Sequence, residues 1–98
     1  MGMENGSIEV LETPIWVFYI GDGAKNFVKH KVGKWMYFFG DIDVAKRVCR
    51  DAVINKVVAE SKHNNAKTGV CCFYLHYDDT EAHKQILQFF LVNSLIKK

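Results

Sequence analysis

The sequence predicts an α+β domain: an antiparallel or mixed sheet of about four strands, with two helices on one face. Three observations carry this expectation. Ten of the thirteen aromatic residues fall in three short segments, Ile15–Ile20, Gly33–Gly40 and Val70–Tyr77. Aromatic and β-branched side chains favour strands. Two other stretches repeat apolar residues at helical spacing, one after Gly40 and one after Asp79. Glycines and polar runs separate these segments and set an order β-β-α-β-β-α.

Residues 1–13 carry Gly2, Asn5, Gly6 and Ser7 early on and read as a flexible arm. Residues 14–98 form the single domain. Pro14 suits the first position of a strand, because it has no N–H to give to a ladder. Ile15–Ile20 is that strand, and Gly21-Asp22-Gly23 breaks it. Ala24–Val32 reads as a basic loop tethered by Phe27 and Val28. Lys34–Phe39 is the second strand and is expected at the centre of the sheet.

Gly40 stops that strand, and Asp41 or Asp43 caps the helix that follows. Val44, Val48 and Ala52, with Ala45, Cys49 and Val53, form its apolar stripe. The helix is expected to end near Asn55. Val57–Ala59 reads as a short strand, Lys62–Gly69 as a loop and Val70–Tyr77 as the longest strand. Asp78 and Glu81 stand three apart, as in a capping box, and open a helix from about Thr80 to Leu95. Its apolar residues surround much of its circumference, with Ala82, Ile86, Phe89, Phe90 and Val92 or Leu91 inward. No strand follows before Lys97-Lys98, so an open sheet edge is expected.

The chain has 98 residues, 49% hydrophobic and 24% charged, with a net charge of +2. That balance is far from the strongly basic one of a dedicated nucleic-acid binder. No stretch approaches the roughly 20 apolar residues of a membrane span. The first thirteen residues carry Glu4, Glu9 and Glu12 and do not resemble a secretory leader. Cys71 and Cys72 are adjacent, and Cys49 makes the count odd. Reduced, buried thiols in a cytoplasmic protein are the expectation.

Candidate chemistry is sparse. Cys72 and His76 would share a strand face about 13 Å apart, beyond the reach of a nucleophile and its base. Asp41/Asp43 and Asp78/Asp79 each precede a helix, where capping accounts for them. Gly21-Asp22-Gly23 lacks the third glycine of a dinucleotide loop, because Asn26 stands in its place. No catalytic residue, metal site or cofactor is assigned, and an enzyme, in particular a cysteine-dependent one, is the least favoured reading.

Side chains alternate along a strand. Trp16, Phe18 and Ile20 oppose Ile15, Val17 and Tyr19, while Trp35, Tyr37 and Phe39 oppose Met36 and Phe38. Both faces of the sheet are therefore largely apolar, yet two helices cover one. The second face should meet a protein partner or another copy of the chain. Tyr19, Met36, Phe38, Tyr74 and His76 are the candidate interface residues. The bland alternative is cover by Tyr hydroxyls and loop Lys stems. A reading of another class binds a nucleotide or single-stranded RNA. There Trp16 and Trp35 would stack on bases, and Lys25, Lys29, Lys31 and Lys34, with Lys62 and Lys67, would meet phosphates.

Trp16-Val17-Phe18-Tyr19, the basic loop, Gly33-Lys34-Trp35-Met36-Tyr37-Phe38-Phe39 and the helix before Lys56-Val57-Val58-Ala59 together resemble the BLES-type proteins. These are grouped with the fold of the mRNA cap-binding initiation factor. The resemblance covers about Ile15 to Tyr77. It implies a curved antiparallel sheet backed by helices. It does not imply cap binding, since no pair of stacking tryptophans with an acidic guanine reader can be assigned. The function expected is that of a small non-enzymatic interaction domain, of adaptor or inhibitor type.

Overall fold

The computed structural model describes residues 8–95, apart from the side chain of Lys29. Residues 1–7 of the expected arm, together with Ile96, Lys97 and Lys98, lie outside them. The strands are β1 (Glu9–Glu12), β2 (Trp16–Ile20), β3 (Val32–Phe39), β4 (Glu60–Asn64) and β5 (Gly69–His76). The helices are α1 (Ile42–Ile54) and α2 (Thr80–Val92), and two 3-10 turns occupy the β2–β3 connection. All strand pairs are antiparallel, in the order β1-β2-β4-β5-β3. Both helices pack on one face, in a single core.

The α+β class and the two helices stand as expected, and three details differ. The sheet has five strands rather than four, because Glu9–Glu12 pairs with Val17–Ile20. Val57–Ala59 is not a strand. The N–H groups of Val57 and Val58 both go to the Ala52 carbonyl at the end of α1, at 2.8 and 3.2 Å, and cannot join a ladder. The strand lies instead at Glu60–Asn64, partly inside the expected loop.

The third difference is the largest. β3 is an edge strand, not a central one. β4 and β5 come between β2 and β3, so two strands consecutive in the chain end far apart in the sheet.

The caps follow chemistry already visible. The Asp41 carboxylate accepts from Asp43 N–H at 2.9 Å and opens α1. Asp79, rather than Asp78, accepts from Ala82 N–H at 3.0 Å and opens α2. Both helices close the same way. Lys56 and Ser94 adopt φ of 59° and 60°. The next residue then donates back to the last turn, Val57 to Ala52 and Leu95 to Phe90. These are Schellman ends with a non-glycine residue at the left-handed position. They stop α2 at Val92, short of the expected Leu95.

The core joins Val17, Tyr19, Cys71, Phe73 and Leu75 of the sheet to Val48, Cys49 and Val53 of α1 and Ile86, Phe89 and Phe90 of α2. Phe73 meets Phe90 edge-on, with ring centroids 5.3 Å apart. Phe90 meets Trp35 in the same way at 5.5 Å. Val92, expected inward, is 69% exposed, and Leu91 is half-buried.

Candidate interaction surface

Register sorts the strand residues into two faces. The helix face receives Val17 and Tyr19 from β2, Ser61 and His63 from β4, Cys71, Phe73 and Leu75 from β5, and Trp35, Tyr37 and Phe39 from β3. The open face carries Trp16, Phe18, Lys62, Cys72, Met36, Phe38, Tyr74 and His76.

The central strand β4 is polar on its helix face, and its polar groups are satisfied. Ser61 Oγ donates to the Cys49 carbonyl at 2.7 Å. His63 is held by two bonds that fix its tautomer. Nδ1–H donates to the Asn64 carbonyl at 2.8 Å, and Nε2 accepts from the Tyr19 hydroxyl at 3.0 Å. Burial holds the His63 pKa below the ordinary imidazole value. Burial also pushes the Tyr19 phenol up to about 12.

Tyr19, expected at the interface, is thus a buried partner of His63 on the helix face. Alternation along β2 fixed which residues share its side. Only pairing with β4 decided which side faces the helices.

The open face divides in two. On the β2–β4 half, the Lys62 ammonium lies 3.9 Å from the Trp16 ring centroid and 5.5 Å from that of Phe18. A cation over an aromatic face is a favourable and stable cover. On the β3–β5 half, Phe38 is 74% and Met36 49% exposed. Between the halves sits Cys72, opposite both Lys62 and Met36 and only 2% exposed. Beside it, burial raises the Tyr74 phenol to about 12.

His76 closes one end of this face. Its Nε2 accepts from Val28 N–H at 2.9 Å, and Phe27 packs edge-on against its ring at 5.3 Å. Phe27 and Val28 therefore tether the β2–β3 loop as expected, and His76 holds them. The loop is also tied by Lys31, whose ammonium is 3.3 Å from the Asp78 carboxylate.

Trp16 and Trp35 are not brought together. They lie on opposite faces, with β4 and β5 between their strands. Trp35 Nε1–H donates to His83 Nδ1 at 2.9 Å, and His83 Nε2–H donates to the Tyr77 carbonyl at 2.8 Å. Lys34 faces outward opposite Tyr74, away from the indole of Trp35. Lys25 is exposed in the loop.

Lys62 belongs to β4 rather than to a loop. Its cover of Trp16 had one sequence signal, the alternation of Ser61 and His63 with Glu60, Lys62 and Asn64. All five are polar, and that hid the strand. The three cysteines are unpaired and buried. Loss of hydration, with Cys71 alongside, drives the Cys49 thiol far above its ordinary range. Thiols in this condition are poor nucleophiles.

Comparison of the chain with protein-family models, curated proteins and solved structures finds no match. Among the described residues, no helix is long and apolar enough to cross a membrane.

Proposed function

We propose that this is a non-enzymatic interaction domain that meets a protein surface through the β3–β5 half of its open sheet face. One observation carries the reading: Phe38 and Met36 stand exposed, at 74% and 49%, on a sheet face with no helix over it. A large phenyl ring held out from a strand loses about 1.5–3 kcal/mol of burial that a partner can restore. On the β2–β4 part of the same face Lys62 lies over Trp16 and Phe18, and nothing of the kind covers Phe38 among the described residues. The inert thiols weigh against a cysteine enzyme, and they suit a reducing, cytoplasmic setting.

The test is a photo-crosslinking amino acid placed at Phe38, with a second protein carrying it at Val92 on α2. Adducts to protein at Phe38 that disappear when Met36→Lys is added are the expected result. Equal adducts at both positions, or none at Phe38, would overturn the reading.

A further inference from the structure

We propose that the free edge of β3, which borders this surface, is met by a second copy of the chain. Two β3 strands would pair antiparallel across a two-fold axis and join the sheets into one. This rests on the interaction role just proposed, and names its partner.

β3 supplies the backbone for it. Its eight residues pair with β5 along one side only. Among the described residues, no other hydrogen bond reaches its N–H or C=O groups. Alternate residues of such a strand direct both groups to the free side. A long edge strand with a single charge pairs readily with another strand.

Two further features select a second copy over a lone peptide. The first is the helix layer. His83 and Phe90 of α2 both contact Trp35 of β3. Leu87 lies four residues after His83 and three before Phe90, on the same flank, and is 40% exposed. The apolar edge is therefore two layers deep: β3 below, Leu87 above. A peptide strand covers the first layer and leaves the second bare. A two-fold copy brings its own helix flank beside the first.

The second feature is charge. Lys34 is the single charged residue of β3. In an antiparallel pair about a two-fold normal to the sheet, opposed residues share a face, so register shifts by whole pairs. Centring the axis on Met36 sets Met36 against its own copy and Trp35 against Tyr37 of the other molecule. Each Lys34 then faces a Phe38 ring. The charges of the two β3 strands then meet aromatic rings rather than each other.

The test measures wild-type mass by sedimentation at high micromolar concentration, and compares disulfide formation in Met36→Cys and Leu11→Cys. Leu11 is a similarly exposed residue on the opposite edge, and the native thiols are buried. A dimer, and interchain disulfide formation by Met36→Cys in a Cys72→Ser background faster by on the order of a hundredfold, are expected, because pairing raises the effective thiol concentration and Cys72, which lies opposite position 36, is removed. Circular dichroism confirms that both variants fold.

A monomer at all concentrations overturns this inference, while Phe38 crosslinks to a different protein would leave the interaction role standing. A dimer broken by Phe38→Lys but oxidised no faster at position 36 than at position 11 means face-to-face packing, and also overturns it. A monomer without Phe38 crosslinks removes both readings.

Discussion

The two edges of the sheet are built to opposite rules. β1 is four residues long, opens and closes on Glu9 and Glu12, and is followed within two residues by Pro14. Short length, charge and proline are the usual means of keeping an edge from pairing. β3 is twice as long and carries one charge among Trp35, Met36, Tyr37, Phe38 and Phe39. A sheet with both edges like β1 would be a self-contained monomer. With both edges like β3 it would risk open-ended polymer, since each molecule could pair at two ends. One guarded edge and one open edge permit association that stops at two.

The largest effect should come from loosening the open edge. Trp35→Ala removes the contact with Phe90 and the bond to His83. Urea unfolding should show a loss of about 3 kcal/mol or more. Leu11→Ala on the guarded edge should stay within about 1 kcal/mol. Equal losses would mean that β3 is not the better anchored of the two.

Next is the pair that holds β2, and through it β1, to the middle of the sheet. Tyr19→Phe leaves the His63 nitrogen without its donor and should cost about 1–3 kcal/mol. The same pair sets a pH window. His63 stays neutral in the fold, whereas an unfolded imidazole takes up a proton near about 6.5. Stability should therefore fall as pH drops below about 6.5 and level off once the folded His63 is also protonated. Tyr19 and Tyr74 ionise near 12 in the fold, and an unfolded phenol near about 10. The buried Cys49 thiol is likewise held protonated in the fold, so stability should begin to fall above about 8.5, where an unfolded thiol ionises, and fall further as pH rises from about 10 toward 12. Tyr19→Phe should flatten the alkaline limb in thermal melts at graded pH, and leaving it unchanged would count against the assignment.

Lys62→Ala uncovers Trp16 and should cost about 0.5–1 kcal/mol. Its sharper readout is Cys72, which lies opposite Lys62 and should label faster with a thiol reagent while Cys49 stays protected. The smallest change in stability belongs to Glu9→Val, within about 0.5 kcal/mol. Its readout is assembly. With the guard removed, sedimentation should show species larger than the wild type, and an unchanged profile would mean that β1 is protected by something other than its charge.

Much of the architecture was legible because local rules and the tertiary structure agree. The stripe Val44, Ala45, Val48, Cys49, Ala52, Val53 placed α1, and all but Val44 are buried. Of the two candidate caps, Asp41 and Asp43, it is Asp41 that opens the helix. The open half of the face was legible in part: alternation put Met36 and Phe38 together, and the β3–β5 register adds Tyr74 to their side. Three things were not. β4 is polar on both faces, and only the bonds from Ser61 and His63 show why it is buried. The helix ends carry Lys56 and Ser94 where glycine would have marked them. Strand order depends on pairing at long sequence separation, so neither the edge position of β3 nor the placing of Trp16 and Trp35 on opposite faces could be read from local pattern.

That strand order has a consequence for the newly made chain. Among the described residues β3 pairs only with β5, which lies thirty residues or more further on, with α1 and β4 between them. As the protein leaves the ribosome, the β1–β2 hairpin and α1 can form early, but β3 must wait with both sides bare until residues 69–76 emerge. The most aromatic segment of the molecule is thus the last of the N-terminal half to be sheltered. Synthesis that pauses between α1 and β5 would expose it longest, which makes this interval the point of greatest need for a chaperone.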